Sequence, residues 1–160
     1  MEKTPSRCSG LSTSDSLAPT FLRLALGVMI FPHGAQKLLG WFGGYGFAGT
    51  LHFFTADLHI PWIFALAAIL VEFFGGILLI LGLWTRLAAA LVGINLLVAM
   101  FFGPIHQGFF MNWGGNQKGE GLEFFLLVFG IALALVIQGG GRCSVDRLLG
   151  RETPPATPEA

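Results

Sequence analysis

The chain has 160 residues, of which 54% are hydrophobic and 11% are charged, and its formal net charge is zero. Soluble domains carry about 25% charged residues, so this composition excludes an ordinary soluble protein and favours an integral membrane protein. Because the sequence contains no basic stripe, nucleic acid is not an expected partner. The 16 phenylalanines and 23 glycines suit membrane helices that approach one another closely at small residues.

Four apolar segments are long enough to be membrane-spanning helices, so the sequence predicts an all-α membrane protein with a bundle of four transmembrane helices. The predicted spans are residues 21–39, 62–84, 87–102 and 119–138. A polar lead of residues 1–18 precedes a membrane domain of residues 19–150, and the proline-containing tail 151–160 is expected to be disordered. The first span is predicted to be an uncleaved helix, because it is longer than a signal peptide requires and lacks a small-residue cleavage site.

With four spans, the two long connections lie on one side of the membrane and both termini lie on the other. Cys8 and Cys143 flank the spans on the terminus side. The positive-inside rule places both termini and both cysteines in the cytoplasm, where thiols stay reduced. Seven of the nine lysines and arginines lie on the terminus side: Lys3, Arg7, Arg23, Arg86, Arg142, Arg147 and Arg151.

Glu72 lies near the middle of the second predicted span. Small residues surround it at helical spacing, including Ala68, Gly75 and Gly76, and they permit a neighbouring helix to approach closely. Glu72 is therefore expected to point into the bundle rather than at lipid. Because an isolated carboxylate is costly there, two roles are open: a proton-carrying acid in a functional site, or a neutral group that hydrogen-bonds between helices.

His33, Gln36 and Lys37 share one face of the first span, near its outer end. Polar side chains are unfavourable on a helix face that contacts lipid, so these residues are predicted to contact a ligand. Trp41 and Trp113 are predicted to stand near the mouth of the same site. The alternatives are a packing role for His33 and extension of Lys37 to the membrane surface.

Glu123, at the start of the fourth span, is a third candidate catalytic residue beside Glu72 and His33. Its alternative role is a first-turn acid that complements the helix dipole. Asn95 interrupts the third span and is expected to hydrogen-bond between helices. The four histidines show no regular ligand spacing, and no metal site or haem, flavin or iron–sulfur signature is expected.

Together these residues predict one cleft in the outer half of the bundle, walled by the first, second and fourth spans. His33 and Lys37 would contact the ligand, and Glu72 would form the floor. Glu72 is expected within hydrogen-bond reach of His33, directly or through one water.

Several separated motifs resemble the DoxX family of small bacterial and archaeal membrane proteins, and the resemblance extends over roughly residues 20–150. The motifs include Pro32-His33-Gly34-Ala35-Gln36-Lys37, Glu72-Phe73-Phe74-Gly75-Gly76 and Asn116-Gln117-Lys118-Gly119-Glu120-Gly121-Leu122-Glu123, with others at 40–46, 81–86, 112–113 and 144–146. The resemblance implies a four-helix membrane bundle in a bacterial inner membrane. It also implies a relation to the membrane subunit of thiosulfate:quinone oxidoreductases.

Two functions remain open at this point. The first is a quinone-linked oxidoreductase subunit that contacts the lipid bilayer and receives electrons from a soluble redox partner. The second is a non-enzymatic scaffold or assembly protein, or a small-molecule permease, that uses the same polar residues to bind a partner or solute. A second copy of the chain is a further expected partner.

Overall fold

The computed structural model describes residues 13–115 and 119–150. Within these residues the chain forms six α-helices and no strand, so the all-α prediction is confirmed. The predicted disorder of residues 151–160, most of the polar lead, and Cys8 and Lys118 lie outside the described residues. The helices are α1 (Ala18–Leu39), α2 (Gly46–His52), α3 (Trp62–Leu81), α4 (Thr85–Phe101), α5 (Leu122–Gln138) and α6 (Val145–Gly150).

The four longer helices form the body of the molecule. Helix α1 packs against α3 and α5, and helix α4 packs against the same two neighbours. Among the described residues, α3 is the one helix that is both long and apolar enough by itself to cross a membrane, and α4 and α5 are shorter apolar helices. The core between them includes Leu26, Ile30, Leu79, Val92, Val128 and Leu135.

Glycines set the close contacts of α3 with both neighbours. A Cβ atom added to Gly34 of α1 would lie 2.4 Å from the backbone nitrogen of Phe73, and one added to Gly76 would lie 2.9 Å from the backbone of α1. A Cβ atom on Gly75 would lie 2.8 Å from a methyl group of α4. The predicted small-residue face therefore packs against two helices, and Glu72 is buried between them, as expected, with 4% of its surface exposed.

The turn between α3 and α4 depends on a carboxylate from the far end of the chain. Gly82 ends α3 with a left-handed backbone (φ 70°), so the helix stops at Leu81 and not at residue 84 as predicted. Asp146 then accepts hydrogen bonds from the backbone N–H groups of Trp84 (2.7 Å) and Thr85 (2.9 Å). Since these bonds satisfy the first turn of α4, this helix starts two residues before the predicted boundary.

At the same end of the molecule, Arg23 of α1 hydrogen-bonds to the end of α3 and to the segment after α5. It is a buried residue, with 3% of its surface exposed. Its guanidinium donates to the carbonyl oxygens of Leu79 and Gly140, each at 3.0 Å, and to those of Ile80 and Cys143. These bonds satisfy carbonyl groups at the end of α3 and in the segment after α5.

The two long connections lie at the opposite end, called here the loop end; the end that carries Gly82 and Asp146 is called the turn end. The first connection joins α1 to α3. It contains the 3₁₀ turn Trp41–Gly43, helix α2 and a π-helical turn, Phe53–Asp57. Helix α2 packs against α1 and α3, and this contact stabilises a helix whose two glycines disfavour it locally.

Candidate functional site

A cavity of about 460 Å³ lies between α3 and α4 in the half of the molecule nearest the loop end. Its volume falls within the range of small-molecule sites. Helices α3 and α4 form its two walls, and the end of the first connection covers it. The described lining residues are Lys37, Phe54, Leu58, Ile60, Phe64, Ala67, Ala68, Val71, Glu72, Leu91, Ile94, Asn95, Val98, Ala99 and Phe102.

Three of these residues form a polar cluster at the back of the cavity: Lys37, Glu72 and Asn95. Lys37 makes an ion pair with one carboxylate oxygen of Glu72. The Asn95 amide donates a hydrogen bond to the other oxygen, at 3.1 Å. Each residue comes from a different helix, α1, α3 and α4, so the cluster forms only when the three helices pack. Both oxygens of a carboxylate that is 5% exposed therefore have partners.

The packing of α1 explains why Lys37 reaches this site. Gly34 lies against the α3 backbone beside Glu72, and Lys37 follows it by three residues on the same face of α1. Lys37 is in the last turn of α1, where a cation is favourable beside the carbonyl end of the helix. Its long side chain is 27% exposed and crosses from α1 to Glu72.

His33 makes no direct hydrogen bond to Glu72, so the direct form of that prediction is wrong, and contact through one water stays a prediction. His33 lies close enough to Lys37 and Glu72 to interact with both charges, but it is an exposed residue outside the described cavity lining. It directly precedes Gly34, and one residue is about 100° around an α-helix. The close contact of α1 with α3 at Gly34 therefore directs His33 away from α3 and places Lys37 beside Glu72.

The other predicted ligand contacts also lie outside the described lining of the cavity. Gln36 donates a long hydrogen bond, 3.5 Å, to the carbonyl oxygen of Phe42. Trp41 is 52% exposed and Trp113 is 85% exposed, and neither is among the described residues that line this cavity. Phe54 from the first connection lines it instead, together with the two aliphatic residues that follow the π-helical turn.

Glu123 lies in the first turn of α5, away from the polar cluster. Its carboxylate accepts the backbone N–H of Met111 at 3.2 Å, and Glu120 accepts that of Asn112 at 2.9 Å. These bonds order the second connection and fit the alternative role of a first-turn acid. No described residue of α5 lines the cavity, so the predicted wall from the fourth span is corrected to the third, while the first span contributes Lys37.

Asn95 lines the cavity but was not among the predicted site residues. It was expected to hydrogen-bond between helices, and it does, but its partner is Glu72 and its side chain also lines the cavity. The available signal was that Glu72 and Asn95 are each the single polar interruption of neighbouring predicted spans. Two such groups on adjacent helices are expected to hydrogen-bond to each other, because lipid cannot solvate either of them.

The polar cluster can offer a ligand both hydrogen-bond donors and an acceptor. Lys37 has three ammonium hydrogens, of which Glu72 needs one. The side-chain carbonyl of Asn95 has no partner among the described residues. The described residues contain no group of three or more His, Cys, Asp and Glu placed to hold a metal ion. The cavity therefore suits an amphipathic molecule with a small polar head.

Comparison with known proteins agrees with the membrane character of the helices. A 34% identical relative is named inner membrane protein YqjF, from Escherichia coli; the match covers 71% of this chain and 82% of that protein. Another, from Bacillus subtilis, is named "Putative oxidoreductase CatD" and is 28% identical over 78% of this chain and 83% of its own length. An uncharacterized Haemophilus influenzae protein is 32% identical over 79% of this chain and 86% of its own. No solved structure gives a significant match.

The sequence model of the DoxX family matches residues 18–104, which is more than half of the chain. This segment contains α1 to α4 and with them all three residues of the polar cluster. Glu123 and α5 lie beyond it. On the family match and the three relatives, this chain is a membrane protein that belongs to the DoxX family.

Proposed function

We propose that this protein is the membrane subunit of a quinone-linked oxidoreductase and that the cavity between α3 and α4 binds the quinone ring. The observation that carries the proposal is an apolar cavity that ends on a buried Lys37–Glu72–Asn95 cluster. A quinone ring is flat and apolar and has carbonyl oxygens that need hydrogen-bond donors. The name of the Bacillus subtilis relative is consistent with a redox role.

The reaction requires two electrons and two protons to convert a quinone into a quinol. We assign the electrons to a soluble redox partner and the proton route to the cluster. Lys37 donates a hydrogen bond to a ring oxygen and passes a proton to it, and Glu72 orients Lys37. Lys37 is the more exposed member of the pair, so it is the residue that regains a proton from the loop end. A second copy of the chain, in a homo-oligomer, is the alternative partner.

The proposed membrane placement follows from the helices and the charges. Helices α1, α3, α4 and α5 each cross the inner membrane of a bacterium, with residues 19–150 as the membrane domain. The loop end faces outward, and both termini and the turn end face the cytoplasm. The polar cluster then lies in the outer half of the bilayer, within reach of a lipid-soluble ligand.

Direct binding to the protein in lipid nanodiscs tests the site. A quinone analogue with a short alkyl chain should bind saturably to the wild-type protein. Glu72→Gln and Lys37→Met should each weaken binding about tenfold or more, because a lost charged hydrogen bond is worth about 1.5–3 kcal/mol. Glu120→Gln is the matched control: this carboxylate is exposed, and among the described residues it accepts a hydrogen bond from Asn112 of the second connection.

A second pair of variants tests the cavity without changing a polar group. Ala68→Leu should fill the cavity and abolish binding, since Ala68 lines its wall. The same change at Ala90 fills the groove between α4 and α5 on the other side of α4, and it should leave binding intact. The helical signal in the far-ultraviolet circular dichroism spectrum checks that each variant is folded.

The two functions left open by the sequence give different results. A quinone-linked subunit binds the analogue at the cluster and retains a soluble redox protein in a pull-down. A scaffold retains a protein partner without quinone binding, and a permease moves a solute across proteoliposome membranes. Equal quinone affinity in the wild-type protein and in Glu72→Gln would refute the proposed site.

A further inference from the structure

We propose that the ligand enters this cavity sideways from the lipid bilayer, through an opening between α3 and α4, and leaves its hydrocarbon tail in that opening. The inference rests on the proposed function and adds the ligand class and its route. The ligand is a lipid-soluble molecule with a small polar head and a long apolar chain.

The distribution of polarity in the cavity supports this route. The polar cluster lies at the buried end, where Glu72 is 4% exposed. Apart from Lys37, Glu72 and Asn95, every described lining residue is apolar. A ligand in this cavity would therefore place its polar head at the cluster and surround the rest of its length with hydrocarbon.

The rim between the two helices is apolar and open. Phe64 on α3 is 65% exposed, and Ile94 and Val98 on α4 are 59% and 50% exposed. These residues line the cavity and also lie on the surfaces of two apolar helices of a membrane protein. An opening bordered by such side chains meets lipid chains rather than water.

On the side of the loop end, the described side chains that cover the cavity are apolar. Phe54, Leu58 and Ile60 cover the cavity on that side and all three line it. Along α3 the lining extends from Phe64 to Glu72, which is about 12 Å at the helical rise of 1.5 Å per residue. This length accommodates a ring head at the cluster and the first part of a chain that continues into the bilayer.

Photolabelling in nanodiscs tests the route with an alkyl quinone that carries a diazirine at the far end of its chain. Sideways entry predicts adducts on the opening, at residues 64–67 of α3 and 91–98 of α4, that disappear when unlabelled analogue is added. Competed adducts on residues 54–60 with none on residues 64–67 or 91–98 would show entry from the loop end and overturn the proposal.

A matched pair of leucine substitutions provides a second readout. Leu91 lies at the opening and is 42% exposed, whereas Leu127 is 66% exposed on α5, away from the cavity. Leu91→Trp should narrow the opening and slow binding about tenfold with the polar cluster intact, whereas Leu127→Trp should bind at the wild-type rate. Equal binding rates in the two variants would contradict sideways entry.

The quinone site and the lateral route can be rejected separately. Suppose that the wild-type protein is labelled on residues 54–60 instead of the opening, and that Glu72→Gln loses this competed labelling. That result would support the quinone site and reject the lateral route. If the wild-type protein shows no labelling that unlabelled analogue competes away, the quinone site itself is rejected and the route with it.

Discussion

Lys37 and Glu72 illustrate at the residue scale how an apolar fold keeps two charges. A carboxylate with 5% of its side chain exposed loses most of its hydration, and its desolvation costs several kcal/mol. The ion pair with Lys37 and the Asn95 hydrogen bond offset that cost only while all three groups remain together. The cluster is therefore coupled: removal of one member changes the environment of the other two.

A double-mutant cycle measures this coupling. Lys37→Met leaves the Glu72 charge with only the Asn95 hydrogen bond, and should lower the free energy of unfolding by about 3 kcal/mol or more. Glu72→Leu leaves an ammonium group without its partner. The double variant should be more stable than at least one single variant, because it removes both charges. Thermal unfolding in detergent provides the values, and additive losses would contradict the coupling.

Asp146 has a comparable structural role at the turn end. Trp84, whose N–H it binds, has a left-handed backbone (φ 47°) that side-chain-bearing residues rarely adopt. Asp146→Asn keeps the size but retains only one acceptor oxygen. It should reduce stability by about 2 kcal/mol, the upper range for a helix-capping bond. Asp57→Asn, at an exposed position, should have no measurable effect on the melting temperature; equal shifts would contradict the capping role.

At the scale of elements, the contact between α1 and α3 determines which side chains can meet. Two helices approach this closely only where small residues lie between their backbones. Gly34 and Gly76 provide that space on opposite sides of the contact. The close approach places the last turn of α1 beside the middle of α3, and Lys37 then reaches Glu72.

Gly34→Ala and Gly130→Ala form a matched pair for this contact. The methyl group at Gly34 would meet the backbone of Phe73, whereas one at Gly130 on α5 has no heavy atom within 4 Å. Gly34→Ala should destabilise the protein by about 1–3 kcal/mol and weaken quinone binding, because the backbone of α3 must move. Gly130→Ala should be neutral or up to about 1 kcal/mol more stable. Similar melting temperatures for both variants would argue against the contact.

At the scale of the whole molecule, the two ends have different structures. The turn end is closed by buried polar groups, chiefly Arg23 and Asp146, that bond to backbone ends. The loop end carries the two long connections and the cavity. In the proposed orientation, the cavity lies in the outer half of the membrane and the turn end faces the cytoplasm.

Thiol labelling in intact cells tests that orientation. With Cys8 replaced by Ser, the exposed Cys143 at the turn end should resist a membrane-impermeant maleimide until the cells are opened. Trp113 lies on the second connection at the loop end and is 85% exposed. A Trp113→Cys substitution in a chain with both native cysteines replaced should be labelled from outside. The reverse pattern would invert the proposed topology.

Much of the fold and part of the site were predictable from the sequence, because they depend on local composition and spacing. Long apolar segments with few charges require backbone hydrogen bonds to be satisfied within each segment, and this predicts helices. Small residues at helical spacing around Glu72 predicted that it faces a neighbouring helix, and it does. The boundary at residue 84 was wrong because Gly82 ends α3 earlier, and the boundary at residue 87 was wrong because Asp146, about sixty residues later, caps α4.

Only the tertiary structure decided which groups meet Glu72. His33 and Lys37 are one turn apart, and spacing alone cannot determine which of them faces α3. The backbone contact at Gly34 selects Lys37 and leaves His33 exposed. Likewise, the wall of the cavity depends on whether α4 or α5 lies beside the half of α3 nearest the loop end. Helices of similar hydropathy give no indication of which of them are neighbours in space. The amide of Asn95 became part of the site because α4 packs there.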